Sequence, residues 1–509
     1  MTTIHRTVAL AATAFVVALP IRSAAAIRPR IYRVCNGSTT ACPRGTRYTS
    51  ITAAVQRIQQ LRPRPDRQHW ILVWPGVYHE KEMDGAGVLI TTANVHVRGM
   101  DRNLVIIDGS NGTAASPCPS DAALQDTSGR EGIEVFKVDG TSIDNLTVCN
   151  YLDGPNGAGN QIWWNGGDGS GLIGMGTYSG SYLTATSTFF GGDDQSMGQY
   201  GIFVSNAKGP GTISYSYASN MADSSFYVGA CPDCNATLDH VHAQNSPLGY
   251  SGTNSGGHLT IQNSEWDGNM VGILPNSLNN DDAPPPQSGL CPDGMGSCTF
   301  IQDNHVHDNN NPNVPCSGIT CEAPVGTGIE ISGGSYDTIT GNLVENQGAW
   351  GIATHDFPDT ETPPPISNCQ GGVGQGDTCL FIAMGNLVTN NQLANNGFFT
   401  NPTNGDLVNQ SYSTPRNCFS GNMDAAGLTS EPPMIETVDG PPCDQPGVGS
   451  ATAAGELACD AGLTPCPPGS SYPTRSQVAM LPLTHQDPMP DPCAGVPRNR
   501  WCPYVGPHS

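Results

Sequence analysis

A short strand cue recurs along this chain at nearly constant spacing: an aromatic, apolar or small residue, then usually Gly, then an apolar residue. It reads Tyr200-Gly201-Ile202, Ser224-Ser225-Phe226, Leu248-Gly249-Tyr250, Val271-Gly272-Ile273, Thr327-Gly328-Ile329 and Trp350-Gly351-Ile352. The middle residues are 24, 24, 23, 56 and 23 positions apart. A unit of this length cannot bury its own apolar face, so it must stack on its neighbours as a solenoid. A second strand follows about a dozen residues after each first one, at Thr212-Ile213, Thr237-Leu238, Thr260-Ile261, Phe300-Ile301, Thr338-Ile339 and Phe381-Ile382. An Asn then precedes the next first strand: Asn220, Asn245, Asn269, Asn309, Asn346 and Asn396. Asn tolerates left-handed turns, and stacked Asn side chains can hydrogen-bond along a solenoid axis.

The irregular step of 56 is one coil plus inserted loops. Inserts rich in Pro, Gly and Cys run from Asn276 to Ser297, Asn311 to Val325 and Phe357 to Thr378. The first and third leave the same strand position, so they are expected to rise on one side as walls.

Residues 1–26 read as a secretory signal: Arg6, an apolar stretch from Val8 to Leu19, and the small-residue site Ala24-Ala25-Ala26. The stretch is too short to span a bilayer, and no later segment is long or apolar enough. The expected location is therefore extracellular. The 18 cysteines agree, because they fall into close neighbours: Cys35/Cys42, Cys118/Cys149, Cys231/Cys234, Cys291/Cys298, Cys316/Cys321, Cys369/Cys379, Cys418/Cys443, Cys459/Cys466 and Cys493/Cys502. Such pairs in a secreted chain read as loop-stapling disulfides.

Net charge is −23, which makes nucleic acid and acidic membranes poor partners. From Glu131 to Pro415 there is no Arg, and Lys137 and Lys208 are the only lysines. A polyanion would be repelled there unless cations intervened.

At the N-terminal side, Ile51, Val55 and Ile58 recur with helical spacing behind Thr49 or Ser50 as a cap. Thr49-Ser50-Ile51, then Trp74-Pro75-Gly76-Val77-Tyr78-His79-Glu80, Val97-Arg98-Gly99 and Ile107-Asp108-Gly109, resemble the opening of right-handed parallel β-helix proteins. These form the pectate-lyase-like superfamily, which includes copper-accessory-type periplasmic proteins. The resemblance covers residues 46 to about 410. It implies an all-β, right-handed parallel β-helix with a short N-terminal helical cap and disulfide-rich inserts and C-terminus. It leaves activity open, since the superfamily holds lyases, hydrolases, epimerases and proteins without known catalysis. The expected organisation is a signal at 1–26, a disulfide-clipped leader at 27–45, the β-helix at 46–415 and a Cys/Pro-rich cap and tail at 416–509.

Alternation within the first strand places Phe203, Tyr227, Ser251, Leu274, Glu330 and Ala353 in one outward file. Ser205, Gly229, Thr253, Asn276, Ser332 and His355 form the next. Glu330 and His355 then stand on adjacent coils, about 5 Å apart along the axis, with Asp356 following. In a walled groove these three could do acid–base work on a sugar; the alternative is a solvated acid–histidine pair. Thr354-His355-Asp356 weakly resembles the His-Asp part of the alginate-epimerase strand motif, without its preceding Asp-Pro. The pair Asp193-Asp194 resembles the Asp-Asp element of polygalacturonase-type glycosidases. That family's Gly-His-Gly and Arg-Ile-Lys elements are missing, and the alternative is an acidic or calcium-binding turn.

Phe203 and Tyr227 of the outward file, and Trp163-Trp164 expected on a Gly-rich loop, are candidate sugar-stacking residues, or packing beneath loops. His240-Val241-His242 and His305-Val306-His307 could meet as a transition-metal site. The coil between them interposes Ser264-Glu265-Trp266, so the expected reading is structural and no metal is assigned. No cofactor is firmly expected, although calcium bridging by acids such as Asp193, Asp194 and Asp356 could let a polyanionic chain bind. The uronate lyases of this superfamily use Arg or Lys as base, and the solenoid from Glu131 to Pro415 supplies no Arg. The expected function is a monomeric secreted protein that cleaves, epimerises or binds a neutral or weakly charged polysaccharide. The alternative is a non-catalytic envelope or matrix β-helix.

Overall fold

The computed structural model describes residues 28–503, apart from 62–65, 82–84, 156, 194, 280–296 and 361–368. The proposed signal lies outside the described residues.

Each coil contributes one strand to a long sheet and two shorter strands to a second sheet, all in parallel register. The long sheet has eleven strands, from Ala86–Ile90 to Ser430–Glu431, which sets the number of stacked turns. The chain is a right-handed parallel β-helix. Left-handed residues turn the corners. In one coil, Ala236–Asp239 is followed by His240 at φ 54°, then His242–Gln244, then Asn245 at φ 53°. Asn263, Asp303, Gly341 and Asn390 repeat the first corner. These are residue types for which the left-handed region is cheapest or a short polar side chain offsets its cost.

The six recurring cues stack in one register. Ile202 pairs with Phe226, Phe226 with Tyr250, Tyr250 with Ile273, Ile273 with Ile329, and Ile329 with Ile352. All six are essentially inaccessible and form the spine of the core. The preceding file is glycine for a steric reason. A Cβ on Gly272, Gly328 or Gly351 would lie 2.6 Å from the carbonyl oxygen of the next coil.

Asn stacking is more extensive than the single file read from the sequence. Asn269 Oδ1 accepts from Ser246 N–H, Asn309 Oδ1 from Asn269 N–H, and Asn396 Oδ1 from Gln347 N–H. Gln347 stands in this stack where Asn346 was expected; Asn346 is the left-handed corner residue instead, at φ 57°. A second stack runs through Asn304, Asn342, Asn391 and Asn422.

The N-terminal helix Ile51–Gln60 is capped by Ser50, whose Oγ accepts from Ala53 N–H at 3.1 Å. The Glu80 carboxylate accepts from Ile51 N–H at 2.6 Å and Thr52 N–H at 3.2 Å, so an anion sits where the helix dipole favours one.

The solenoid extends beyond the expected bounds at both ends. Arg30–Val34 pairs with His69–Val73, so the leader supplies the first strand. Cys418–Ser420 and Met423–Asp424 continue the short-strand ladders. Eight of the nine expected disulfides are formed. Cys298 is also disulfide-bonded, and its expected partner Cys291 lies outside the described residues. No described cysteine is free.

The C-terminal region holds two features that the Pro/Cys composition concealed. One is a helix, Ala451–Asp460, capped by Ser450. The other is residues 470–502, which run back along the solenoid without regular structure. Along this path Ser471 bonds Asn401, Ala479 bonds Asn245, Leu481 bonds Asn220, Gln486 bonds Asn103 and Met489 bonds Asn145. Val496 and Cys502 end against Trp70 and Leu72 of the first coils. Among the described residues, no helix is long and apolar enough to cross a membrane.

Candidate functional site

The outward file of the long sheet is the one expected. Phe203 pairs with Tyr227, Tyr227 with Ser251, and Ser251 with Leu274, while Glu330 pairs with Ala353 and Ser332 with His355. The file also extends upstream, where Trp163 pairs with Glu134 and Phe203.

Glu330 and His355 are brought together. His355 Nε2 lies 2.6 Å from Glu330 Oε1, and His355 Nδ1 lies 3.0 Å from the Asp356 backbone oxygen. Against an ionised Glu330 both ring nitrogens face pure acceptors, which is the environment of an imidazolium. Burial works against that charge, but the bond to Glu330 and the charges of Glu330 and Asp356 outweigh it, and His355 is held above its ordinary pKa. Asp356 is raised by burial, while the Ala383 N–H at 3.0 Å and the charge of His355 offset part of the rise.

This constellation is covered on the Glu330 side. Glu330 is 3% exposed. The C-terminal helix lays Ala453 and Leu457 on Trp350, Ala353 and Val408. Its last residue, Asp460, has its carboxylate oxygens buried, near Glu330 and Glu456, and is held far above the usual carboxylate range, first by burial and then by those two charges. His355 and Asp356 remain partly exposed beside this cover, so a substrate would meet the imidazole and Asp356 rather than Glu330. The second insert, not one of the expected walls, packs its Val314, Ala323 and Val325 on Leu248 and Leu274. Asn279, from the first insert, donates its N–H to Asp359 of the third.

Upstream, the same face carries an aromatic platform. Trp163 and Phe203 stack at 5.0 Å with planes 4° apart, Tyr200 stacks on Phe203 at 4.3 Å, and Tyr227 meets Phe203 edge-on at 4.7 Å. Trp163, Tyr200 and Phe203 are partly exposed, whereas Tyr227 is buried. Trp164 belongs elsewhere. The pair Trp163-Trp164 lies on the strand Ile162–Asn165, not on a loop, and alternation turns Trp164 into the core at 0% exposure. Its ring cannot meet a ligand on this face. Beside the platform, Glu134 is raised by burial, with Asn165 Nδ2 at 2.9 Å offsetting part of it. Lys137 is paired with Asp168.

Asp193 sits on an exposed turn, its Oδ1 accepting from Gln195 N–H at 3.1 Å. Asp194 lies outside the described residues. The His-x-His segments do lie two coils apart, and the intervening strand places Glu265 and Asp267 between them. The Glu-x-Asp alternation around Trp266 was the signal for this. Sequence reasoning treated that coil as a barrier when it is a second source of ligands.

No protein-family model matches the chain, and no curated protein matches it. Solved structures with a similar chain path include the A-module of the mannuronan C-5 epimerase AlgE4 from Azotobacter vinelandii. That module is 12% identical, over 73% of this chain and 89% of the module, with a TM-score of 0.40. Pectin methylesterase PemA from Erwinia chrysanthemi is 13% identical over 72% and 90%, with a TM-score of 0.35. Pectate lyase Pel9A is 12% identical over 79% and 79%, with a TM-score of 0.37. The likeness is one of fold. By its own parallel ladders, glycine file and Asn stacks, this chain is a right-handed parallel β-helix repeat protein.

Proposed function

We propose that this is an extracellular protein that binds a neutral or weakly charged polysaccharide along the outer face of its long sheet. The observation that carries the reading is the partly exposed aromatic cluster formed by Trp163 on one coil and Tyr200 and Phe203 on the next. Flat aromatic faces suit the apolar faces of sugar rings, and strands spaced about 4.8 Å apart repeat that contact along a chain. The absence of Arg between Glu131 and Pro415, with Lys137 already neutralised by Asp168, argues against a polyuronate ligand without bridging calcium. The disulfides fit an oxidising compartment.

The test is affinity electrophoresis and calorimetry against a panel of neutral and acidic glycans. Binding to a neutral glycan that falls about tenfold in Trp163→Ala supports the reading. Binding that is unchanged in Trp163→Ala and Phe203→Ala refutes it.

A second reading, a glycan-cleaving or epimerising enzyme, rests on the 2.6 Å Glu330–His355 contact with Asp356 beside it. Release of reducing ends or unsaturated sugars that is lost in Glu330→Gln would favour it.

A further inference from the structure

The histidine segments carry an inference separate from the polysaccharide reading. We propose that the outer face of the strands His242–Gln244, Glu265–Asp267 and His305–His307 is a binding site for a divalent transition-metal ion. Glu265, His305 and His307 supply the principal ligands, and His242 and Asp267 extend the donor set.

Register assembles the site. His242 pairs with Glu265 and Glu265 with His305, while Gln244 pairs with Asp267 and Asp267 with His307. The residues between them, Ala243, Trp266 and Val306, are fully buried. Alternation therefore turns all six polar side chains, Gln244 included, to one surface. Ligand atoms of Glu265, His305 and His307 lie within 4.8 Å of one another, as do those of His242, Glu265 and Asp267. Glu265 belongs to both groups, so it is the natural centre. These separations are close to those between donors that share an ion at about 2.0–2.2 Å, and small side-chain rotations would close the difference.

The surroundings are those of a metal centre. Asp308 Oδ2 lies 2.9 Å from His307 Nδ1, which directs His307 Nε2 toward Glu265 at 3.3 Å. A carboxylate behind a ligating histidine fixes its ring and tautomer. Glu345 holds His305 from the next coil at 2.9 Å, and the His305 and His307 rings stack at 4.0 Å. A hollow of about 450 Å³, lined by residues including His240, His242, Glu265, Asp303 and His305, keeps the face open to solvent.

Charge points the same way. Glu265, Asp267, Asp308 and Glu345 converge on this patch, and among the described residues none of them is ion-paired with a Lys or Arg. Among the described residues, histidines are the only basic side chains within ion-pair distance of these acids. A mixed imidazole–carboxylate set selects zinc, copper(II) or nickel over calcium or magnesium, which prefer oxygen donors alone.

The experiment is calorimetric titration of zinc into untagged protein, stripped with EDTA and dialysed, at neutral pH. A parallel cobalt(II) titration is followed by its visible absorption. The expected result is one ion per chain, with binding abolished in His305→Ala/His307→Ala and in Glu265→Gln. Asp308→Asn should weaken binding about 10- to 100-fold. His258→Ala, which removes an exposed histidine paired with Asp233, should bind as the parent does. These side chains are on the surface, and matching melting curves would confirm that the variants fold. Zinc binding that survives both ligand variants, or absence of binding by the parent at micromolar zinc, would overturn the proposal. Neither outcome bears on glycan binding at Trp163, which lies on the other sheet.

Discussion

The Nε2 of His355 lies 2.6 Å from the Oε1 of Glu330 one coil away, and its Nδ1 faces the Asp356 carbonyl at 3.0 Å. The pair closes a gap that the backbone register leaves diagonal, since Glu330 is opposite Ala353 and Ser332 is opposite His355. It does so beneath the C-terminal helix, where Glu330 is 3% exposed. Removing one partner strands the other charge in the interior. His355→Ala is therefore expected to destabilise the fold by about 3–5 kcal/mol, measured by denaturant unfolding. An apolar double replacement, Glu330→Leu/His355→Leu, should recover most of that loss. Equal destabilisation by the single and double variants would show that the pair is not coupled.

Stability should peak in mildly acidic solution. Burial raises Glu131 from 4.5 to about 8 and Asp337 from 3.8 to about 7. A raised group binds its proton more tightly in the folded state. Its contribution is thus complete below the unfolded value and is lost as pH rises through the folded one. His355, raised from 6.5, adds to the same alkaline loss. His69 and His96 act in the opposite sense. Burial lowers both from 6.5 to about 4, so their contribution is present above 6.5 and is lost as pH falls toward about 4. Between about pH 4.5 and 6.5 the opposing slopes of the two sets largely cancel, which leaves a plateau of highest stability there and a fall as pH rises through about 7 and 8. Melting temperature against pH should show it, and Glu131→Gln should flatten the alkaline limb. A melting temperature that climbs steadily from pH 6 to pH 9 would contradict this account.

The glycine file makes a steric prediction. A Cβ on Gly328 would lie 2.6 Å from the Gly351 carbonyl oxygen, with strands stacked on both sides. Gly328→Ala should cost about 1–3 kcal/mol through forced separation of coils. Gly268 has a φ of +65° but nothing within 4 Å of an added Cβ. Gly268→Ala there should cost about 1 kcal/mol from the backbone alone. Chemical denaturation of the two variants side by side checks the order.

The repeat was legible because its causes are local. Glycine at 272, 328 and 351 and a bulky apolar residue next to it are dictated by the stacking distance, so they appear in the sequence with the period of the coil. The same alternation placed Glu330 beside His355. Long-range coverage was not legible. Nothing in Pro- and Cys-rich residues 416–509 says that Ala453 and Leu457 come to rest on Ala353 and Val408. The mistaken placement of Trp164 on an outer loop came from weighing its Gly-rich neighbours over the parity of Ile162, which faces the core. The acids between the histidine segments were visible but were read as spacing, because a one-dimensional view makes an intervening coil a barrier.

The C-terminal segment supports the last prediction. Residues 470–502 have no regular secondary structure, yet solenoid Asn side chains satisfy much of their backbone. Asn220 accepts from Leu481 N–H at 3.0 Å and donates to its carbonyl at 2.9 Å, and Asn103 does the same for Gln486 at 2.9 and 2.8 Å. Arg98 donates to the carbonyls of Pro492 and Ala494 at 3.0 and 3.2 Å. Each neutral bond is worth about 0.5–1.5 kcal/mol net, and loss of the segment would expose these buried amides together with Trp70 and Leu72. Truncation after Gly469 should therefore lower the melting temperature and speed amide exchange along the strip from Arg98 to Asn245, while the parallel ladders and their circular dichroism persist. Asn220→Ala/Asn103→Ala in the full chain should raise exchange in residues 479–490 by loosening the segment locally. Exchange in that strip that is unchanged after truncation would mean that the segment rests on the solenoid without stabilising it.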